Sequence, residues 1–150
     1  MKTEPIWKKL STIDIALQIA IDAHEGTLDR DGKPVILHPI AVGMMGRNED
    51  EMVAGFLHDV VEDSEFTFKY LLEMGIPKHI VDALRLLTHY KDTPYMDYVQ
   101  GIIDSGNTLA LRVKYNDLQH NYARGKAYPD LQEKHGRAIE LVKAAIDKLN

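Results

Sequence analysis

Helical periodicity runs through almost the whole sequence and constrains its fold more than any other feature. In the first segment, apolar residues recur every three or four positions: Ile6, Leu10, Ile13, Leu17 and Ala20. This spacing places side chains on one face of an α-helix, and no strand-like alternation lasts long enough to compete with it. The sequence therefore predicts an all-α fold.

Start and stop signals divide the pattern into about eight helices. The first ends near His24, and the breaker-rich loop EGTLDRDGKPVIL precedes a helix that begins at His38-Pro39. Capping residues or prolines mark the later starts: Asn48 or Asp50, Thr67, Pro77, Thr93-Pro94, Asn107 and Pro129. The helix that contains His58 is predicted to reach about Asp63. Since no repeat or linker interrupts the chain, we expect residues 1–150 to form one compact domain.

Composition excludes several classes of protein. Cysteine is absent, so any metal must be held by His, Asp, Glu or water. A net charge of −5 without a basic block argues against a nucleic-acid partner. No apolar run approaches the ~18 residues of a membrane span, and MKTEPIWKKL lacks the apolar stretch of a signal peptide. We expect a cytoplasmic protein without a membrane partner, and the sequence does not indicate its oligomeric state.

The helix around His58 combines an apolar face with an acidic arc. At about 100° per residue, one face carries six apolar residues and the other arc carries His58, Asp59, Glu62 and Asp63. A solvated surface is the ordinary explanation of such an arc. From Glu49 to Phe68, however, seven acidic residues occur without any Lys or Arg, so a bound cation would supply the missing charge. Gly55, within the arc, would leave room for something to approach.

The helix that begins at Asn107 carries a polar stripe between two apolar flanks, formed by Ala110, Lys114, Asp117 and Asn121. Burying such groups without partners costs several kcal/mol, so they must meet complementary chemistry. Two interpretations stay open. One is an internal pair of Lys114 with Asp117, and the other is a metal between this helix and that of His58, which would also explain Asn121 and the acidic arc.

His38, alone, has the position of a capping or packing residue. Together with His58, Asp59 and Asp117 it completes a set of two imidazoles and two carboxylates. Such a set suits manganese, iron or zinc and leaves positions for water and substrate oxygen. The other histidines are interpreted as packing residues or as ordinary, partly exposed ones: His24, His79, His89, His120 and His135.

Three segments in order, AHEGTLDRDGKPVILHP, FLHDVVEDS and RVKYNDLQHN, resemble the HD hydrolase domain of RelA/SpoT-type alarmone enzymes. The combination of HP, HDVVED and K-x-x-D-x-x-x-N is far more specific than an HD dipeptide. LTHYKDTPYMDYVQGI looks most like a branch of small stand-alone bacterial HD proteins. The resemblance implies the HD-domain fold and one divalent ion, usually manganese. It also implies roles for particular residues: metal ligation by His38, His58, Asp59 and Asp117, catalysis by Glu62 and Asp63, and nucleotide binding by Asn121.

In enzymes of this family, guanosine tetra- or pentaphosphate loses its 3′-diphosphate as pyrophosphate. The leading hypothesis is therefore a (p)ppGpp 3′-pyrophosphohydrolase with a small-molecule nucleotide substrate. Either Glu62 or Asp63 would manage the proton, and the sequence does not divide these roles. Lys114, Arg30 and His120 are candidates to neutralise substrate phosphates.

Differences from the family's pattern near the nucleotide keep other substrates open. Val35 replaces a tyrosine, Asp29-Arg30 stands for a basic pair, and Ala123 occupies a position where arginine is common. One alternative is an HD-type phosphatase that acts on a 5′-nucleotide, NADPH or an adenine alarmone. The other is a non-catalytic, metal-stabilised sensor or interaction domain, against which the presence of both Glu62 and Asp63 argues.

Overall fold

The computed structural model describes residues 9–125 and 128–149, and within them the regular structure consists of nine α-helices. Their bounds are α1 Thr12–His24, α2 Leu37–Met44, α3 Glu49–Leu57, α4 Val60–Asp63, α5 Phe68–Glu73, α6 Lys78–Leu87, α7 Tyr95–Ser105, α8 Thr108–Arg124 and α9 Pro129–Leu149. The predicted all-α class is confirmed. Ile6, which the periodicity placed in the first helix, lies outside the described residues.

Capping side chains set most helix starts as the sequence predicted. The side chains of Asn48, Thr67 and Asn107 each accept a hydrogen bond from a backbone N–H three residues later. The first helix begins later than the periodicity suggested. Ser11 and Asp14 form a capping box that starts α1 at Thr12, so Leu10 precedes the helix.

The helix predicted to reach Asp63 is interrupted, which accounts for nine helices where about eight were expected. α3 ends at Leu57 and α4 begins at Val60, with His58 and Asp59 in the turn between them. On a continuous helix, adjacent side chains point about 100° apart. The turn removes that restriction, so His58 and Asp59 can both reach the same point.

The centre of the fold is α3, which packs against α1, α2, α6 and α8, while α8 lies along α9. Val53, Phe56 and Leu57 of α3 are buried in the main hydrophobic core. Removal of such side chains from water is the main stabilising contribution. This packing brings α2, the end of α3 and the middle of α8 together.

Two glycines permit the close crossing of α2 and α3. A Cβ atom at Gly55 would lie 2.7 Å from the Cα of Gly43 and 3.0 Å from the carbonyl carbon of Val42. The prediction that Gly55 leaves room for something to approach is confirmed, and what occupies that room is the backbone of α2. The crossing fixes the position of His38 on α2 relative to His58 at the end of α3.

Among the described residues, no helix has the length and apolar character needed to cross a membrane.

Candidate active site

Four side chains from three separate segments converge at one point, and we call them the ligand cluster: His38, His58, Asp59 and Asp117. Nε2 of His38 lies 2.8 Å from Oδ1 of Asp117, and Nε2 of His58 lies 3.4 Å from the same oxygen. Oδ2 of Asp59 lies 3.1 Å from Nε2 of His58 and 3.8 Å from Nε2 of His38. The structure thus brings together the four residues that the sequence nominated as metal ligands.

The state of His58 fits a metal ligand. The Nδ1–H of His58 donates to the carbonyl oxygen of Gly55 at 2.6 Å, so in the neutral imidazole Nε2 is the nitrogen with the lone pair. This Nε2 atom is buried and has no hydrogen-bond partner among the described residues. Buried polar atoms are normally paired, so an unpaired imidazole nitrogen that faces two carboxylates indicates a cation site. Two imidazoles and two carboxylates suit a borderline divalent ion.

His38 is oriented by a second imidazole. Its Nδ1 lies 2.7 Å from Nδ1 of His120, and the two rings are stacked with centroids 4.9 Å apart. If Nε2 of His38 is the ligand nitrogen, Nδ1–H must donate and Nδ1 of His120 must accept. His120 is partly exposed, as the sequence suggested, but the interpretation of it as an ordinary histidine outside any constellation is wrong. Its position one helical turn after Asp117 was the available signal.

Both carboxylate oxygens of Asp117 are held in place. Oδ1 accepts from the amide of Asn121 at 3.0 Å, and Oδ2 accepts from Nζ of Lys114 at 2.9 Å. Lys114 is buried, and its ammonium lies over the rings of Tyr98 and Tyr95 at 4.9 and 5.6 Å from their centroids. The internal Lys114–Asp117 pair and the ligand cluster therefore coexist, and the ammonium considered for substrate phosphates is bonded to Asp117.

The buried charges of Lys114 and Asp117 stabilise each other. Burial alone would lower the pKa of Lys114 and raise that of Asp117. Their mutual attraction outweighs burial, so the pKa of Lys114 is raised well above its usual value and that of Asp117 lies well below its own. Asp117 is thus a carboxylate that stays ionised.

Glu62 and Asp63 occupy different environments. Glu62 lines the cleft at the ligand cluster, and its Oε1 accepts from the backbone N–H of His89 at 2.8 Å. Burial raises the pKa of Glu62, and this hydrogen bond partly opposes the rise. Both residues are exposed, but Asp63 does not line the cleft. Desolvation and the negative charges of Asp59 and Glu62 raise the pKa of Asp63 to about 6.

Two of the seven acidic residues between Glu49 and Phe68 pair with a basic side chain outside the ligand cluster. Glu51 is buried and pairs with Arg47 at 2.9 Å, and Asp50 lies 2.8 Å from Nε2 of His79. Of the five acidic residues that remain, Asp59 and Glu62 line the cleft at the ligand cluster.

Two adjoining cavities lie in this region, and the inner one opens at the ligand cluster. This inner cavity, which we call the cleft, has a volume of about 160 Å³ and is bounded by His38, Asp59 and Asp117 of the cluster, by Glu62, by the 87–98 segment and by α8. The outer cavity has a volume of about 270 Å³ and is lined by the loop 29–31 and the region around Tyr128. Three side chains line both: Asn121, Arg124 and His135.

The other predicted phosphate-binding residue, Arg30, lies away from the ligand cluster. It is exposed, lines the outer cavity and holds its guanidinium carbon 4.6 Å above the ring of Tyr128. His89 and His135, interpreted from the sequence as ordinary histidines, both line the cleft. A signal existed for His135, because it lies between Leu131 and Ala138 on the apolar stripe of the last helix.

Comparison with known proteins yields partial sequence relatives and an extensive structural match. No family model matches the chain. A putative GTP diphosphokinase, RSH1 of Arabidopsis thaliana, is 40% identical over 83 residues, which cover 51% of this chain and 9% of that protein. The guanosine-3′,5′-bis(diphosphate) 3′-pyrophosphohydrolase of Haemophilus influenzae is 41% identical over 59 residues, which cover 37% and 9%. The bifunctional (p)ppGpp synthase/hydrolase SpoT of Escherichia coli K12 is 40% identical over 58 residues, which cover 36% and 8%.

A solved metazoan ortholog of SpoT, described as hydrolysing ppGpp and acting in starvation responses, has the same fold. The TM-score is 0.74 at 19% identity, and the match covers 97% of this chain and 88% of that one. The resemblance drawn from the sequence is thus confirmed for the fold, which is the HD-domain fold of the RelA/SpoT type. The chain spans 9% of the length of the first of these sequence relatives.

Proposed function

We propose that residues 1–150 form a single metal-dependent HD phosphohydrolase domain that releases pyrophosphate from the 3′ position of guanosine 3′,5′-bis(diphosphate). The observation that carries this proposal is the ligand cluster, in which the buried Nε2 of His58 has no hydrogen-bond partner among the described residues and faces carboxylate oxygens at 3.1 and 3.4 Å. The names of the relatives from Haemophilus influenzae and Escherichia coli support this choice of substrate.

One divalent ion, manganese with iron or zinc as alternatives, would be held by His38, His58, Asp59 and Asp117. Bound there, such an ion polarises a phosphoryl oxygen and lowers the pKa of a coordinated water. The chain's own contribution is to hold the ligands rigidly. Asp117 is fixed at both oxygens, and His38 is fixed through His120.

In this proposal Glu62 accepts a proton and Asp63 donates one. Glu62 lies in the cleft and is oriented by the N–H of His89, so it orients the attacking water and takes its proton. Asp63, whose pKa is raised to about 6, carries a proton in part of the molecules near neutral pH. A small movement of Asp63 would let it return a proton to the ribose oxygen that leaves.

Asn121 is proposed to contact the nucleotide where the two cavities meet. Its amide nitrogen donates to Asp117, and its oxygen accepts from Arg124 at 2.7 and 2.9 Å. The side chain is therefore held by a partner on each side. A nucleotide with one phosphate group in the cleft would place its sugar or base beside this amide.

Product analysis with manganese-loaded protein tests the proposal. Guanosine 3′,5′-bis(diphosphate), a 5′-nucleotide, NADPH and an adenine alarmone are supplied separately, and pyrophosphate and orthophosphate are measured. We expect pyrophosphate from the first. Asp59→Ala is expected to lose manganese and activity together, whereas Glu62→Ala keeps manganese and loses turnover.

Other outcomes would reject the proposal in distinguishable ways. Orthophosphate from a 5′-nucleotide or from NADPH would favour the phosphatase alternative. Bound manganese with no turnover of any nucleotide would favour a non-catalytic domain. Retention of manganese by Asp59→Ala would contradict the ligand assignment.

A further inference from the structure

A lysine that the proposed chemistry does not use contacts an aromatic residue of the cleft, although it lines neither cavity itself. Nζ of Lys134, on α9, lies 4.3 Å from the centroid of the Tyr95 ring. Tyr95 lines the cleft, and Nζ of Lys114 lies 5.6 Å from the same centroid. One aromatic ring is thus in contact with two ammonium groups, of which Lys114 is bonded to Asp117.

Lys134 has no acidic partner in the described part of the chain. Three lysines there have a carboxylate oxygen within 4.0 Å, namely Lys69, Lys78 and Lys114, and Lys134 is not among them. Its side chain is half-buried. Burial lowers the pKa of Lys134, and the positive charges of Lys114 and Arg30 lower it further. A partly buried ammonium close to like charges is unfavourable unless an anion joins it.

Two arginines line the cavities near Lys134, and Asp29 and Asp31 line the outer cavity with them. Arg124 lines both cavities, and Arg30 lines the outer one. The positive charge of Lys134 also helps to lower the pKa of the neighbouring His135 to about 4, after the larger effect of burial. His135 is therefore neutral at physiological pH, and Lys134 is the group of this pair that can bind an anion through its charge.

We propose that Lys134 is a phosphate-binding residue that holds a phosphate group of the substrate other than the one that reacts. The inference rests on the proposed function and assigns one residue of this chain to the second phosphate-bearing position of the proposed substrate. The Tyr95 ring restrains the ammonium before the substrate arrives, which reduces the entropy lost on binding. A nucleoside monophosphate, with its phosphate group at the ligand cluster, leaves nothing for Lys134 to hold.

A binding experiment with two probes tests this role without turnover. In manganese-loaded protein that carries Glu62→Gln, calorimetry measures the affinity for guanosine 3′,5′-bis(diphosphate) and for guanosine 3′-monophosphate. Lys134→Met removes the charge and keeps the length of the side chain. Lys143→Met is the matched control, since Lys143 is an exposed lysine of the same helix. Thermal unfolding and manganese content check that each variant is folded and loaded.

We expect Lys134→Met to weaken the bis(diphosphate) by about tenfold, as for one charge-assisted contact, and the monophosphate by less than about twofold. Lys134→Arg should restore most of the affinity. Equal weakening of both probes, or a result identical to that of Lys143→Met, would overturn the proposal. If protein with Glu62 hydrolyses no nucleotide and the selective loss persists, the phosphate-binding role stands and the hydrolase proposal fails.

Discussion

The ligand cluster and the outer cavity adjoin each other but are built in opposite ways. His38, His58 and Asp117 of the cluster are buried on or beside helices of the core, and Asp117 is bonded to a buried lysine. The outer cavity depends on exposed groups at loop and helix ends. Arg124 lies 3.8 Å from Asp29, and the hydroxyl of Tyr128 donates to Asp31 at 2.9 Å.

Under the proposed function, this difference separates the chemistry, at the ligand cluster, from the substrate selectivity, at the outer cavity. Removing one member of a buried charged pair leaves the other uncompensated, at a cost of several kcal/mol. Exposed ion pairs contribute about 0–1 kcal/mol each, so groups around the outer cavity can change at little cost to stability. Substitutions in the two regions should therefore have effects of different kinds and sizes.

The largest effect is expected at Asp117. Asp117→Ala should abolish manganese binding and, because Lys114 is left buried without a partner, lower the free energy of unfolding by about 3–5 kcal/mol. Urea denaturation and metal content measure the two losses. Adding Lys114→Met to Asp117→Ala should recover part of the stability and none of the metal binding. Wild-type manganese content in Asp117→Ala would contradict the assignment of Asp117 as a metal ligand, and with it the contrast between the ligand cluster and the outer cavity.

Glu62→Gln should separate turnover from metal binding. Loss of the proton-accepting carboxylate is expected to lower kcat by about 10²–10⁴-fold, with manganese content unchanged. Steady-state kinetics on the substrate that the product screen identifies provides the measurement. Glu65→Gln, an exposed neighbour, serves as the control and should retain kcat. Equal kcat values for the two variants would remove Glu62 from the reaction.

His120→Ala tests whether the hydrogen bond between His38 and His120 strengthens manganese binding. Without the acceptor at 2.7 Å, Nδ1 of His38 no longer has a partner that fixes its ring, so manganese affinity should fall by about 10–100-fold. Chelator competition measures the affinity. His79→Ala removes a surface histidine that pairs with Asp50, and it should leave the affinity unchanged. A normal affinity in His120→Ala would show that packing alone orients His38.

Gly55→Ala tests the helix crossing that sets the cluster. The added Cβ would meet the α2 backbone at 2.7 Å, and overpacking of this kind typically costs about 1–3 kcal/mol. Gly101→Ala is the matched control. Gly101 lies exposed within α7 with no atom near its added Cβ, so alanine should stabilise that helix by roughly 0.5–1 kcal/mol. Destabilisation of equal size in both variants would argue against the close crossing.

Arg30→Ala should have the smallest effect, because Arg30 is an exposed residue of the outer cavity and not part of the ligand cluster. Loss of one exposed cation from the outer cavity is expected to raise KM by about two- to fivefold, since such contacts contribute ~0.2–1 kcal/mol. Kinetic measurements at low and high salt should show this rise mainly at low salt, with kcat and manganese content unchanged. A fall in kcat would place Arg30 in the chemistry of the cluster.

Local features of the fold were predictable because their causes lie within a few residues. The caps at Asn48, Thr67 and Asn107 each act on a backbone group three positions away. Positions that depend on a distant segment were not predictable. The sequence did not show what approaches Gly55, because its neighbour is Gly43, on another helix. The turn at His58-Asp59 is likewise absent from the periodicity.

Three features could be predicted from the sequence: the helical class, most helix starts and the candidate metal ligands. Periodicity, capping and residue chemistry are local properties, so they can be read along the chain. Tertiary structure alone decided that His120 supports His38, that His135 joins the two cavities and that Lys134 meets Tyr95. The physical reason is that hydrogen bonds, charge and aromatic contacts act over a few ångströms in space, while α8 and α9 bring these groups to segments far away along the chain.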